Sequence, residues 1–191
     1  MSGNSKQQEL AILEIIKQDE TRHRAFGMIV DTYSERLYWH IRRMVVVHAD
    51  ADDVLQNTFL KIWEALARFR GDSSLYTWMY RIATNESINF LNARNKRKYV
   101  FWDQVEQKLS NSLESDPYFD SNALDKRLQQ AILSLPQKQR TIFLLRYYDE
   151  MKYEDMSEVL ETSVGALKAS YHHAYHKIKK IMLNHLEQGD Q

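Results

Sequence analysis

No cysteine occurs among the 191 residues, so the chain has neither a disulfide framework nor a thiolate metal site. Only two prolines and five glycines punctuate it. β-rich folds spend both residue types at their many turns, so this scarcity beside long periodic segments points to an all-α protein. No run approaches the roughly 20 apolar residues of a membrane-spanning helix, and direct membrane insertion is not expected. The opening MSGNSKQQEL carries no apolar signal region, and a cytoplasmic location is the expectation. Net charge is lacking too: 26 basic residues face 26 acidic ones, which argues against a general nucleic-acid coat.

What the chain does have is apolar content, 43%, enough for one medium core or two small ones. Its charges are segregated. Acids gather at Asp50, Asp52 and Asp53 and again from Glu150 to Glu161. Bases gather at Arg94, Lys96, Arg97 and Lys98 and at Lys177, Lys179 and Lys180. Separated blocks of opposite sign fit more than one macromolecular partner. Helical periodicity runs from about Glu9 to Lys98, weakens through FWDQVEQKLSNSLESDPYFDS, and resumes at Asn122. Two small helical domains are therefore expected, residues 1–98 and 122–191, joined by a linker at 99–121.

In the first domain, Leu55, Phe59, Ile62, Leu66 and Phe69 recur at three- and four-residue steps and read as a buried helix stripe. Asp52 or Asp53 is the expected helix start, and Asp53, Gln56, Asn57, Lys61 and Glu64 lie on the opposite face. Gly71 and Asp72 break that helix, and Asp72 or Ser73 is the expected cap of the next. There Met79, Ala83 and Phe90 point inward. Trp78, Arg81, Asn85, Asn89, Asn92 and Lys96 recur on another side. An indole, a row of amides and a basic end can hold an unpaired strand: aromatics stack on bases, amides bond their edges and cations hold phosphates. Tyr76, Trp78 and Tyr80 crowd one turn and project in several directions, so some of them meet something other than their own core.

The second domain opens on Leu128, Ile132 and Leu135, and Pro136 begins a new helix, where its missing N–H costs nothing. Tyr153, Met156, Val159 and Leu160 form a short stripe. After Glu161-Thr162, Ser163 caps a longer helix with Val164, Leu167, Tyr171, Ala174, Ile178 and Ile181 inside. A short helix, a tight turn and a longer helix with a polar outer face make a helix-turn-helix. The outer face carries Lys168, Ala169, His172, His173, His176 and Lys179, with Ser170 nearby.

Four segments, DADDVLQNTFLKIW, FRGDSSLYTWMYRIATN, LSLPQKQRTIFLLRYYDEMKYEDMSEVL and TSVGALKASYHHAYHKI, resemble in order and spacing the bacterial RNA polymerase sigma factors of the extracytoplasmic-function (ECF) type. The resemblance implies a non-enzymatic protein without cofactor. Its first domain would bind core RNA polymerase and the minus-ten promoter element, and its second the minus-thirty-five element. It makes Asp52, Asp53, Gln56 and Asn57 the polymerase-binding candidates, with Asn57 departing from the acid that many relatives have there. It makes Phe69, Tyr76, Trp78, Arg81, Asn85, Asn89, Arg94, Lys96 and Arg97 the minus-ten candidates, with Phe69 and Asn85 matching the pocket for a flipped base. Lys168, Ala169, Ser170, His172, His173 and His176 are the minus-thirty-five candidates. His172 and His173 stand where relatives often have arginine, a stronger phosphate and guanine ligand than a ring that is mostly neutral above about pH 6.5. An anti-sigma factor, often membrane-bound in the family, is a candidate further partner.

Three other readings compete, one of them a pure scaffold whose linker aromatics and two helical domains embrace a protein partner. A regulator using only the helix-turn-helix would bind duplex DNA without polymerase. A metal hydrolase could place two ligands at His172 and His176, four residues apart, yet HHAYH lacks the glutamate of the HExxH pattern and offers no third ligand.

Overall fold

The computed structural model describes residues 3–16, 21–97 and 123–189, with side chains for 9–16, 21–94 and 124–184. These residues fold into helices α1 (Gly3–Ile16), α2 (Arg22–Val45), α3 (His48–Leu66), α4 (Leu75–Arg97), α5 (Ala123–Leu133), α6 (Gln137–Tyr147), α7 (Tyr153–Leu160) and α8 (Val164–Gly189). The expected linker, 99–121, lies outside the described residues.

In the first domain, α2 is the spine. Ala25, Ile29, Tyr33, Leu37, Ile41 and Val45 step by four and are all buried, against α3 and α4 on one side and α1 on the other. The helix stops at Val46, whose φ of 73° is left-handed and whose N–H bonds the Arg42 carbonyl. A β-branched residue there costs on the order of 1–3 kcal/mol, which the almost complete burial of Val46 offsets. Val47 is extended, and α3 starts at His48, four residues before the expected Asp52. The tight Val46-Val47 turn sets that start, and Asp50 is the acid of the first turn. The buried stripe of α3 is Ala51, Val54, Thr58, Ile62 and Leu66. Leu55, Phe59 and Phe69 flank it half-buried, so the expected stripe is rotated by one residue at its start.

Helix α4 is capped by Ser74 rather than Asp72 or Ser73. The Ser74 hydroxyl accepts from the Thr77 N–H at 3.0 Å, while Asp72 pairs with Arg70 across Gly71, whose φ is 77°. A second cap comes from α1, where a Glu9 carboxylate oxygen accepts from the Leu75 N–H at 2.6 Å. Met79 and Ala83 point inward as expected. Leu91, not the half-buried Phe90, is the buried residue farther along.

The second domain follows its sequence pattern closely. Pro136 precedes α6, which buries Ile142, Phe143, Leu144 and Leu145. Glu161, left-handed at φ 48°, ends α7, and the Ser163 hydroxyl faces the Ala166 N–H at the start of α8. Met156, Val159, Leu167, Ala174 and Ile178 close the core, and the Phe143 ring stacks between Tyr147 and Tyr171.

The two domains touch. Helix α6 packs on α2, and α7 packs on α4. Burial within and between the domains pushes the phenols of Tyr33, Tyr76 and Tyr148 up to about 12, and that of Tyr80 higher still. A raised folded-state value means stability that is fully present below the unfolded value of about 10 and lost as pH climbs through the folded one. Unfolding free energy should therefore fall between about pH 10 and 12. Phenolate absorbance should then rise in two steps, exposed tyrosines first and buried ones only as helicity is lost. Ionisation of all 11 tyrosines in one step with helicity intact would contradict this burial.

Candidate polymerase and nucleic-acid interfaces

Three surfaces collect the residues singled out in the sequence. On α3, Asp53, Gln56 and Asn57 are exposed, while Asp52 is half-buried with its carboxylate 3.5 Å from the His48 ring. The sequence pattern gave no sign of their neighbour Leu60, which is 60% exposed. It borders an apolar groove of about 620 Å³ lined by His23, Phe26, Gln56, Phe59 and Trp63. Polar residues beside an exposed leucine on a rigid helix form a surface suited to another protein.

The second surface is α4 with the loop before it. Phe69 and Trp78 pack together, ring centroids 4.9 Å apart and tilted by 47°, both half-buried. Asn85 and Asn89 are exposed on the helix. An aromatic pair at one end and free amides along one side can offer a stacking surface together with edge-directed hydrogen bonds. Arg94 is engaged differently: its guanidinium reaches Asp50 of α3 at 3.2 Å and lies over the Phe90 ring. The side chains of Lys96 and Arg97 lie outside the described residues.

Tyr76 does not belong to the accessible part of this surface. It is 6% exposed, its ring lies 4.3 Å from that of Tyr80, and its hydroxyl donates to the Asp149 carbonyl at 3.2 Å. Arg81 approaches Glu158 of α7 at 4.0 Å. These contacts answer why three large aromatics share one turn. Met79 and Ala83 fill the first domain's core, Trp78 faces the Phe69 loop, and Tyr76 and Tyr80 face the second domain.

At the centre of that junction is Asp149, with a side chain 6% exposed. One carboxylate oxygen lies 2.8 Å from Nδ1 of the buried His40, and the other accepts from the Tyr80 hydroxyl at 3.3 Å. His40 Nε2 is 3.0 Å from the Thr84 hydroxyl. A neutral imidazole carrying its proton on Nδ1 satisfies both neighbours, donating to the carboxylate and accepting from Thr84. His40 had no assignable role in the sequence, because its partner lies 109 residues away and no local spacing signals such a pair.

The third surface is the outer side of α8. Lys168, Ala169, His172, His173 and His176 are exposed, and Ser170 is half-buried. The rings of His172 and His176 are 4.2 Å apart, and the Lys168 ammonium lies 5.6 Å from the Tyr153 ring centre. A helix carrying ammonium and imidazole groups outward, supported from behind by α6 and α7, can enter a groove of duplex DNA.

Comparison with known proteins finds two matching family models along the chain. The sigma-70 region 2 model covers residues 29–97 and the sigma-70 region 4 model residues 125–178. The RNA polymerase sigma-H factor of Pseudomonas aeruginosa is 29% identical over 186 residues, spanning 93% of this chain and 95% of that relative. The ECF RNA polymerase sigma-E factor of Escherichia coli K12 is 32% identical over 154 residues, 76% of this chain and 80% of the relative. Among solved structures, the sigma factor RpoE from Bartonella quintana, in complex with the anti-sigma factor NepR, superposes with a TM-score of 0.65. It does so at 20% identity, over 82% of this chain and 96% of that one. The chain therefore belongs to the ECF RNA polymerase sigma factors: it is a non-enzymatic initiation factor that binds core RNA polymerase and recognises promoter DNA.

Proposed function

We propose that the three surfaces divide the work of initiation, with the α4 surface capturing one nucleotide of the opened minus-ten element between the Phe69 side and Asn85. The observation that carries this is the Phe69–Trp78 pair, held half-buried at the head of a helix whose Asn85 and Asn89 remain free. Unstacking a base costs a few kcal/mol, and a stacking surface with edge-directed amides returns a comparable amount. No bond in the nucleotide changes. The protein favours the open state because it binds the separated strand better than the duplex. Arg81 sits on the same helix for a phosphate.

The exposed Asp53, Gln56 and Asn57, with Asp52 beside them, dock on core polymerase, and the outer side of α8 reads the minus-thirty-five element. His172 and His173 supply weaker contacts there than arginine would, so shape and polymerase-assisted positioning carry more of the recognition. These roles place the protein in the cytoplasm with the polymerase. Among the described residues, no helix is long and apolar enough to cross a membrane. A protein that regulates this factor in the manner of an anti-sigma factor has the same three surfaces to cover.

In vitro transcription from a pool of genomic fragments tests the whole reading, because specific initiation should appear only when core polymerase is added. A chain that binds its sites equally well alone would instead be a polymerase-independent regulator. Replacing Phe69 and Asn85 together by alanine should lower open-complex formation about ten-fold or more, the loss of one stacked and edge-bonded base, with core binding unchanged. Permanganate footprinting of the holoenzyme reads this directly, and an intact bubble would remove the pair from the site. His172→Ala and His173→Ala should each weaken holoenzyme binding to a matched promoter by about 1 kcal/mol, the low end for a base contact. Unchanged affinity and base preference in a competition titration would take both off the reading face.

A further inference from the structure

We propose that His172 and His176 form a two-histidine chelate for a divalent transition ion of the nickel, copper and zinc group, and that the bound ion strengthens the grip of α8 on duplex DNA. The chelate stands on its own geometry. Its effect on DNA rests on the reading of α8 as the minus-thirty-five face given above.

The helix supplies the geometry. Residues four apart stand one above the other, with Cβ atoms about 5–6 Å apart. The rings of His172 and His176 lie 4.2 Å apart, centre to centre, tilted by 55°. An ion about 2.0–2.1 Å from one nitrogen of each ring needs centres about 4.5–5 Å apart, a small opening for two exposed side chains. His173 is not part of the pair. Its ring stands edge-on to that of His172 at 5.9 Å, one residue round the helix. The scaffold beneath is firm, because α8 packs on α5, α6 and α7 through the buried Leu167, Ala174 and Ile178. Only the two side chains have to be ordered on binding.

The donor set selects the ion. Imidazoles suit zinc, copper and nickel, whereas magnesium and calcium take oxygen ligands. Among the described residues no group of three or more His, Asp or Glu side chains can hold a metal, so an ion here keeps open positions filled by water. The neighbouring charges on this side are cations. The Lys168 ammonium, one turn before the pair, is drawn to the Tyr153 ring at 5.6 Å, and Lys180, one turn after it, is exposed. Their repulsion of the ion is weak across water and screened by salt.

The open positions carry the consequence. On a helix face that enters the major groove, they are exchangeable sites for purine N7 and for phosphate oxygens. Neutral imidazoles make weak contacts there. The ion brings two positive charges and a nitrogen-seeking centre to the same place. His172 thereby becomes a DNA contact whose strength follows the supply of metal.

Calorimetric titration of Zn2+ into the untagged full-length chain should show one site, and Mg2+ none. His172→Ala and His176→Ala should each weaken Zn2+ binding at least about ten-fold, since even groups that only orient a metal's ligands are worth about that. His173→Ala should leave it unchanged. Bound Cu2+ should show hyperfine splitting from two nitrogens in its electron paramagnetic resonance spectrum. Added Zn2+ should raise the affinity of the holoenzyme for a matched promoter about five-fold or more, the low end for a base contact. The His172→Ala/His176→Ala double variant should lose that gain. All three histidines are exposed, so their replacement leaves the core intact, and unchanged helicity checks this. Absence of stoichiometric Zn2+ binding, or an equal loss in His173→Ala, overturns the chelate. Binding of Zn2+ without a change at the promoter upholds the chelate and rejects its role at DNA. The reading of α8 itself is tested separately, without metal, by the alanine variants described above.

Discussion

Asp149 is a carboxylate almost sealed from water, and a buried anion persists only if every lone pair has a donor. The donors come from the other half of the chain. His40 bonds both Asp149 and Thr84, the tilted Tyr80 ring lies 4.3 Å from that of Tyr76, and Tyr76 donates to the Asp149 carbonyl. The carboxylate holds His40 and Tyr80 directly, while Thr84 is engaged through His40 and Tyr76 through the Asp149 carbonyl. The long shift of the Tyr80 phenol has the same origin: burial first, then the neighbouring carboxylate, both opposing a second negative charge.

Helix α4 bears the opposite demand. It has to be a core helix, a domain junction and an accessible surface at once, and a helix offers only about 100° of arc to each role. Met79, Ala83 and Leu91 take the core, Tyr76 and Tyr80 the junction, and Asn85 and Asn89 the open side. This is why its hydrophobic pattern looks poorly amphipathic while the helix itself is firmly anchored at its start by Ser74 and Glu9. Rigid support beneath an accessible face is what a strand-binding surface requires, since each side chain ordered in advance lowers the entropy lost on binding.

The second domain was legible almost residue by residue because its signals are local. Pro136 marks a helix start, Ser163 marks another, and the stripes from Tyr153 and Val164 follow from side chains three and four apart. The first domain was legible in type but not in register. The α3 start depends on a left-handed valine, a conformation that residue type argues against, so nothing nearby in the sequence announced it. The capping of α4 by Glu9 and the pairing of Arg94 with Asp50 join residues 66 and 44 positions apart. The junction left one faint mark on the sequence. Tyr76 read as a minus-ten contact and His40 had no assigned role, because their partner is visible only once the chain is folded. The excess of aromatics on one turn was the sole trace, and it said that a partner existed without saying which.

The absence of net charge takes on a different meaning in this light. The acidic block from Glu150 to Glu161 was expected to serve an external partner, and part of it serves an internal one: Asp155 and Glu158 lie against Thr77 and Arg81. A chain whose acids screen its own bases is drawn to DNA only weakly at long range, because steering depends on uncompensated potential. Weak intrinsic attraction is useful to a factor whose sites are few among a great excess of non-specific DNA. Affinity is then conferred by assembly, when two modest surfaces act through one polymerase and the second contact becomes intramolecular. On this view the histidines of α8 are not a deficiency in the reading helix. If α8 reads the minus-thirty-five element as proposed, they would keep one half of a bipartite reader weak enough that it holds DNA only when the other half is engaged as well.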